Sequence, residues 1–174
     1  MFTRTVTSRA ALSCALLLTA LGVFAGPKAK ELAPRFNAKT LDGEKFSNDS
    51  IRGKVVLLEF WTTWCGYCVA EAGYVDKVNQ EYKDKGLIVL AVDVGESKGK
   101  VKKYLERNPR TSRIVLTDDT NLAAMYEAVE YPIYVVIDRD GNIAGEQRGA
   151  AGEEALRDLL ANAGIGTKSD SDPQ

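Results

Sequence analysis

The feature that most constrains the fold is a strand-like segment that leads directly into two cysteines and a helical pattern. Residues 55–61 are apolar except for Glu59, as is typical of a strand buried between two layers of helices. Cys65 and Cys68 follow in a C-x-x-C arrangement, and apolar residues then recur at helical spacing over residues 66–83. The pattern predicts a β-strand, a tight turn and an α-helix, with Cys65 just before the first helical turn and Cys68 inside it.

This placement predicts a reactive thiol at Cys65. The start of a helix presents free N–H groups and the positive end of the helix dipole, and both stabilise a thiolate. A cysteine there can have its pKa lowered to roughly 3.5–7.5, compared with about 8.5 for a free cysteine. We therefore interpret the pair as a redox-active disulfide, in which Cys65 attacks a substrate, a mixed disulfide forms and Cys68 resolves it.

Three simpler interpretations of the cysteine pair compete with this one. A structural disulfide is a weak alternative, because closing so short a loop constrains the unfolded chain little. A structural zinc site needs four ligands, whereas the chain has no histidine, and its third cysteine, Cys14, lies in a segment that we expect to be removed. Two inert core cysteines fit poorly with the strand and helix on either side. C-x-x-C beside a β-α-β pattern instead indicates thiol–disulfide exchange, without a metal.

The N-terminal segment predicts export to the periplasm or beyond. Residues 1–25 contain Arg4 and Arg9, no acidic residue, an apolar run and small residues before Gly26, as in a secretory signal peptide. An uncleaved membrane anchor is the alternative, although the apolar run is shorter than the roughly 20 residues of a membrane span. Residues 26–166 are long enough for one domain with a sizeable core, and residues 167–174 are predicted to form a polar, disordered tail.

Composition excludes several classes of function. Beyond residue 25, 21 Lys and Arg residues are mixed with 24 Asp and Glu residues, so we expect no surface for nucleic acid. The absence of histidine excludes Ser-His and Cys-His catalytic pairs and haem ligation by histidine. We expect no cofactor, and any proton transfer must use Glu, Asp, Lys, Tyr or the second cysteine. In an oxidising compartment, partner proteins must keep the cysteine pair in its working redox state.

Strand and helix patterns alternate along the rest of the chain. The Asp42-Gly43 turn predicts a hairpin between strands at residues 35–40 and 45–47. Further strands are predicted at residues 87–94, 114–116, 133–137 and 143–148, a helix-start signal at residues 117–120, and helices at residues 101–108, 122–128 and 153–163. The alternation predicts an α/β fold with a mostly parallel sheet, to which the last hairpin adds antiparallel strands.

Together these motifs resemble the thioredoxin-fold proteins of the exported TlpA/ResA-like family. The likeness lies in residues 59–68 around the cysteines, in Glu71 after them and in residues 126–141 around Pro132, and it covers residues 36–164. It implies that residues 26–166 form a thioredoxin-like three-layer α/β domain. Its mixed sheet would carry an N-terminal β-hairpin extension, and a helical insertion would lie between the second and third core strands.

The resemblance also implies roles for residues around the cysteines. Pro132 is expected to be a cis-proline that faces the cysteines and presents the neighbouring backbone to an extended substrate segment. Trp64, Gly66, Tyr67 and Tyr131 are expected to shape the surface where the substrate binds. Gly66-Tyr67 is the dipeptide of exported disulfide isomerases, and Tyr131 stands where the family usually has a small or β-branched residue. Both positions therefore bear on redox potential and substrate choice.

Two acidic residues are candidates for proton transfer or for tuning the thiols. Glu59 matches the buried acid of thioredoxins, and a lone carboxylate in an apolar strand should have a raised pKa, which suits a proton acceptor for Cys68. The alternative is that Glu59 pairs with a lysine such as Lys83 or Lys102. Glu71 either tunes the thiols or is a solvated acid on the helix surface.

The resulting prediction is an exported, monomeric thiol–disulfide oxidoreductase that reduces cysteine pairs in other exported proteins. The resemblance implies a membrane electron-donor protein that regenerates the dithiol, and cytochrome c maturation as a candidate process. One alternative is an oxidant or isomerase on the same fold, although an isomerase would need a dimerisation domain. Another is a peroxiredoxin-type peroxide reductase, suggested by Thr62 three residues before Cys65, although such enzymes carry proline at the position of Leu58. A non-catalytic binding module is the last alternative.

Overall fold

A computed structural model describes residues 30–166, which form seven strands and four α-helices in this range. The predicted leader, residues 1–25, and the predicted tail, residues 167–174, lie outside the described residues. The strands are β1 (Asn37–Thr40), β2 (Lys45–Ser47), β3 (Val55–Trp61), β4 (Leu87–Asp93), β5 (Arg113–Thr120), β6 (Ile133–Ile137) and β7 (Ile143–Arg148). The helices are α1 (Gly66–Tyr82), α2 (Lys98–Leu105), α3 (Leu122–Met125) and α4 (Gly152–Asn162), and a 3-10 turn (Lys83–Lys85) follows α1.

The strands form one mixed sheet in the order β2-β1-β5-β4-β3-β6-β7. The central strand β3 pairs parallel with β4 and antiparallel with β6. This confirms the mixed sheet, the N-terminal hairpin extension and the helix inserted between β4 and β5. The expectation of a mostly parallel sheet is wrong, because only β3–β4 and β4–β5 pair parallel. The N-terminal hairpin and the final strands contribute the antiparallel pairs.

The core lies on both faces of the sheet, because every residue of β3 and of β6 is buried. On one face, alternate residues of β3 such as Leu57 pack with apolar residues of α1 and α4. On the opposite face, alternate residues such as Leu58 pack with α3 and with the segment before β1. Residues of a strand point to alternate faces, so Glu59 lies with Leu57 on the face that α1 covers.

Three predicted elements differ from the structure, and tertiary contacts explain one of these differences. Residues 117–120, predicted as a helix start, instead complete β5, where Thr120 pairs with Ala38 of β1. Strand pairing thus outweighs the local preference of Thr and Asp for helix caps. The next helix, α3, ends at Met125 rather than at residue 128, and Glu127 adopts a left-handed conformation with φ 47°. The inserted helix, α2, begins three residues earlier than predicted, capped by the Ser97 hydroxyl.

The beginning of the described chain is fixed to the turn between β6 and β7. Leu32 bridges to Asn142, and the Ile143 N–H donates to the Glu31 carbonyl at 2.7 Å. Since β6 runs antiparallel to β3, this turn lies at the end of the sheet where β3 begins. The cysteines follow the other end of β3, so the two features occupy opposite ends of the sheet.

Candidate active site

The cysteine pair lies where the sequence predicts it, at the start of α1. Cys65 is the N-cap residue, and its sulfur accepts a hydrogen bond from the Cys68 N–H at 3.1 Å. The two residues are joined by a disulfide, with Cα atoms 5.3 Å apart. Cys65 retains 6% exposure whereas Cys68 has none. The Cys65 sulfur is therefore the one that a substrate can reach. The buried Cys68 sulfur is placed to re-form the Cys65–Cys68 disulfide.

The peptide bond between Tyr131 and Pro132 is cis, which confirms the predicted isomer. It immediately precedes β6, the strand that pairs with the cysteine-bearing β3. The Tyr131 carbonyl oxygen lies 3.7 Å from the Cys65 sulfur. The backbone before Pro132 therefore lies directly beside the sulfur that a substrate would attack or release.

Aromatic side chains form an exposed rim around the disulfide. Trp64 is 66% exposed and Tyr67 is 72% exposed, and the rings of Trp64 and half-buried Tyr131 pack edge-on with their centres 5.9 Å apart. An open cavity of about 310 Å³ is lined by Trp64, Cys65, Gly66, Tyr67, Val129, Glu130 and Tyr131. The four residues predicted to shape the substrate surface thus share one cavity with Cys65. Val129 and Glu130 were not predicted, because nothing in the sequence distinguishes them from an ordinary surface loop.

Glu59 is fully buried on the face of the sheet that α1 covers. Its Oε2 accepts a hydrogen bond from Arg110 Nη2 at 2.7 Å, so the alternative that Glu59 pairs with Lys83 or Lys102 is wrong. Burial raises the pKa of Glu59, and the charge and hydrogen bond of Arg110 oppose that rise. The predicted upward direction of the pKa is therefore confirmed, while the role of Glu59 as a proton acceptor stays a prediction.

The sequence did not predict Arg110 as the partner of Glu59, because Arg110 lies in the loop after α2, far along the chain from Glu59. Its position after Pro109 and beside Thr111 reads as an exposed loop. A buried carboxylate needs a buried partner, but the sequence does not indicate which of the 23 Lys and Arg residues supplies it.

Glu71 is buried, so the interpretation as a solvated surface acid is wrong. The Tyr134 hydroxyl donates to its Oε2 at 2.9 Å, and the Gly152 N–H donates to its Oε1 at 2.5 Å. Glu71 thus connects α1 to β6 and to the first residue of α4. The carboxylate contributes, after burial and Glu59, to the raised pKa of Tyr134. Its other predicted role, tuning the thiols, stays a prediction.

A second pair of acids, missed in the sequence, lies behind the loop that leads to Cys65. Glu96 accepts hydrogen bonds from the Thr63 N–H at 2.5 Å and from the Thr63 hydroxyl at 2.8 Å, and it pairs with Lys100 at 2.6 Å. Asp93, fully buried, ends β4 opposite Trp61. Glu96 thus fastens the cysteine-bearing loop to the segment that follows β4.

The two carboxyl groups have opposite pKa shifts. Burial, reinforced by the neighbouring Glu96 carboxylate, raises the pKa of Asp93 to about 8. Burial acts in the same direction on Glu96, but hydrogen bonds from Lys100 and Thr63 outweigh it and lower the pKa of Glu96 to about 2. At neutral pH, therefore, Asp93 is mostly protonated and Glu96 is charged.

The site has the parts that thiol–disulfide exchange requires and lacks a cluster suited to a metal. Within residues 30–166, no group of three or more His, Cys, Asp or Glu side chains could hold a metal ion. A reachable sulfur at a helix start, an inner sulfur three residues on and the adjacent Tyr131 carbonyl allow a substrate cysteine to form and release a mixed disulfide.

Comparisons with known proteins agree with this chemistry. The AhpC/TSA family is matched over residues 29–145. Thiol-disulfide oxidoreductase ResA from Bacillus thuringiensis subsp. konkukian is 30% identical over 128 residues, which cover 74% of each chain. Thioredoxin-like protein YneN from Bacillus subtilis is 36% identical over 121 residues, which cover 68% of this chain and 70% of YneN.

A solved structure gives the same result for the fold. A thiol:disulfide interchange protein of the thioredoxin family from Chlorobium tepidum superposes with a TM-score of 0.69 at 23% identity, covering 79% of this chain and 99% of that one. Fold and site together define a thioredoxin-fold thiol–disulfide oxidoreductase. The chain belongs to the AhpC/TSA family, and within it the chain is similar to the proteins named ResA.

Proposed function

We propose that this protein works in an exported compartment and reduces disulfides in other exported proteins. The observation that carries the proposal is the position of the Cys65 sulfur, at the start of α1 and 3.7 Å from the carbonyl before the cis-proline. A thiolate there is stabilised by the helix start and lies beside backbone that an extended substrate can bind. The relative named ResA is described as a thiol-disulfide oxidoreductase, which supports the same chemistry.

The proposed reaction has two exchange steps. The Cys65 thiolate attacks one sulfur of a substrate disulfide, which forms the Cys65–substrate bond and releases the other substrate sulfur as a thiolate. Cys68 then attacks the Cys65 sulfur, the Cys65–Cys68 bond forms, and the second substrate sulfur leaves as a thiolate. The Cys68 proton passes to the Glu59 carboxylate in this second step. The substrate is reduced by two electrons, and the enzyme dithiol becomes the disulfide.

Substrate binding is assigned to the rim of the disulfide. Pro132 and Tyr131 form the backbone edge along which an extended segment aligns, while Trp64, Gly66 and Tyr67 contact its side chains. The exposed aromatic surface favours an apolar or aromatic residue near the substrate cysteine, because such residues gain most from leaving water. The predicted partners are cysteine-containing exported proteins, with the enzyme acting as a monomer.

Repeated turnover requires a membrane electron-donor protein that returns the disulfide to the dithiol, because an exported compartment is oxidising. Export rests on the signal-like residues 1–25, which lie outside the described residues. Within residues 30–166, no helix is long and apolar enough to cross a membrane. Cytochrome c maturation is a candidate process for the substrates.

The proposal is tested by trapping substrates on Cys68→Ala in the native exported compartment. Without the resolving thiol, Cys65 should retain a substrate through a mixed disulfide that a reductant releases, and mass spectrometry would identify the partner. Cys65→Ala/Cys68→Ala is the matched control, since it keeps the surface but lacks the attacking sulfur. If both variants recover the same proteins, or no covalent adduct forms, exchange through Cys65 is refuted.

The reduction potential decides the direction of the reaction. A reductant should have a potential near the roughly −270 mV of thioredoxin, whereas an oxidant should lie near −120 mV. Equilibration with glutathione, followed by quantification of the Cys65–Cys68 disulfide, gives this value. A potential near the oxidant end would overturn the reductive direction while leaving the exchange mechanism intact.

A further inference from the structure

Arg110 is a buried cation that has no role in the exchange steps described above. Its side chain is only 4% exposed. Besides the contact with Glu59 Oε2, its Nε lies 3.4 Å from Asp76 Oδ1, and its guanidinium lies 5.4 Å from the centre of the Trp61 ring. A guanidinium is costly to remove from water unless charges and hydrogen bonds compensate. The carboxylates of Glu59 and Asp76 supply that compensation for Arg110.

The loop that carries Arg110 is fastened to α1, the helix that carries Cys68. The Thr111 N–H donates to Asp76 Oδ1 at 2.9 Å, and the Thr111 hydroxyl lies 3.0 Å from the same oxygen. Asn79 Nδ2 donates to the Thr111 carbonyl at 2.7 Å. Asp76 and Asn79 thus order the loop from α1 and place the Arg110 side chain between that helix and β3.

The groups that face Glu59 show how the Arg110 guanidinium affects the charge of this carboxyl group. Within the described residues, Asp76 and Glu71 on α1 disfavour the charged form of Glu59, and burial has a larger effect in the same direction. Glu59 interacts in turn with Tyr134 on β6 and Tyr104 on α2, whose neutral hydroxyls add no positive charge. Within residues 30–166, Arg110 is the cation that favours the carboxylate form of Glu59.

The two oxygens of Glu59 are in different situations. Oε2 is bound by Arg110 at 2.7 Å, whereas Oε1 is buried and has no hydrogen-bond partner among the described residues. A proton taken up by Glu59 can therefore reside on Oε1 without breaking the bond to Arg110. Although burial opposes the charge of Arg110, Glu59 and Asp76 raise the pKa of its guanidinium, so the cation persists in both states of Glu59.

We propose that Arg110 is a positioning residue for the resolving step: it holds Glu59 as a carboxylate whose free Oε1 accepts the proton of Cys68. The inference rests on the proposed function, in which Glu59 is that acceptor. When the proton moves, the Cys68 sulfur attacks Cys65, the substrate leaves as a thiolate, and Glu59 becomes a neutral acid. Arg110 then remains neutralised by Asp76, so the transfer leaves no unpaired charge in the core.

The test measures the two exchange steps separately over a range of pH. Reduced protein is mixed with the chromogenic disulfide of thionitrobenzoate, which releases one coloured thiolate when Cys65 attacks and a second when Cys68 closes the ring. Stopped-flow absorbance thus gives a rate for each step. The variants are Arg110→Met, Arg110→Lys and Asp76→Asn. Arg113→Met is the matched control, because Arg113 is a half-exposed arginine paired with Glu44 outside the site.

The proposal predicts that substitutions of Arg110 and of Asp76 shift the acid midpoint of the second step in opposite directions. Arg110→Met should move the acid midpoint of the second step upward by about one to three pH units. A close cation lowers the pKa of a carboxyl group by about that amount, so its removal raises the pKa of Glu59. On the acid side of the midpoint, each pH unit of upward shift slows the second step about tenfold. Asp76→Asn should move the midpoint downward, because Asp76 disfavours the Glu59 carboxylate. Arg110→Lys keeps the positive charge and should therefore retain most of the parent's pH profile. The rate of the first step should be unchanged in all three variants.

A merely structural role for Arg110 would not give shifts of opposite sign. Unchanged midpoints for the second step in both Arg110→Met and Asp76→Asn, or shifts in the same direction, would overturn the inference. If Arg110→Met does not fold, the downward shift of Asp76→Asn decides. Glu59→Gln separates the two levels: if it leaves the second step intact, Glu59 is not the acceptor and that part of the proposed function fails. If Glu59→Gln slows the step while the other profiles stay fixed, only the assignment of Arg110 fails.

Discussion

The strongest prediction for stability concerns Asp93, the buried acid at the end of β4. In the unfolded chain Asp93 ionises near its ordinary pKa of 3.8, whereas in the fold its pKa is raised to about 8. Between these values the folded state binds one more proton than the unfolded state, so stability falls as pH rises. One proton corresponds to about 1.4 kcal/mol per pH unit. Over the whole window the loss amounts to several kcal/mol, on the order of a sizeable part of the stability of a small domain.

The perturbation that exposes this effect is Asp93→Asn, which keeps the size of the side chain and removes the titration. The free energy of unfolding in urea is measured at intervals from about pH 5 to pH 8, for the oxidised protein. The neighbour Glu96 does not contribute in this range, because its pKa is lowered to about 2 and it stays charged. Glu59 contributes a slope of the same sign in both proteins, so the difference between them isolates Asp93.

The expected result is a flatter dependence of stability on pH in Asp93→Asn, by up to about 1.4 kcal/mol per pH unit. The control Asp118→Asn makes the same chemical change at an exposed position of β5 and should retain the original slope. If the slope of Asp93→Asn matches that of the parent protein, Asp93 is ionised in the fold at neutral pH. The reasoning from burial and from the nearby Glu96 would then be refuted.

Two further predictions concern the acids that organise the site. Glu96→Ala should lower the free energy of unfolding by about 1–3 kcal/mol and speed hydrogen exchange at the Thr63 amide, because the Thr63 donors lose their acceptor; an exchange rate at Thr63 equal to that of the parent would contradict this. Glu71→Ala should cost about 1–3 kcal/mol, since the Tyr134 hydroxyl and the Gly152 N–H are left without a partner. Urea unfolding at fixed pH measures that loss, and a change within error would show that water replaces the carboxylate.

The sequence predicts those parts of the fold that follow from short-range pattern. The continuous apolar run gives β3, the helical spacing after it gives α1, and the Asp42-Gly43 turn gives the N-terminal hairpin, with Gly43 at φ 92° as such a turn requires. The extent of β5 could not be predicted, because residues 117–120 are polar and owe their extended conformation to pairing with β1. Strand direction was missed for the same reason: it depends on which segments meet.

The candidate site divides in a similar way. Cys65 and Cys68 were predictable from their spacing between a strand and a helix, and Pro132 was predictable from the family resemblance. The partner of Glu59 was not, since Arg110 lies 51 residues away and reaches the core through a loop. The burial of Glu71 was equally hidden, because its two donors come from β6 and from the start of α4. A helix acid with such partners is indistinguishable in sequence from one in solvent.

The position of the first described residues has a practical consequence for handling the protein. The chain at Glu31 and Leu32 is bonded to the turn between β6 and β7, at the end of the sheet remote from Cys65. Any tag, fusion partner or surface attachment placed before residue 30 therefore joins the domain at the pole opposite the disulfide. Immobilisation through that end should leave the reactive sulfur facing solution, so that large folded substrates can reach Cys65 of the tethered protein.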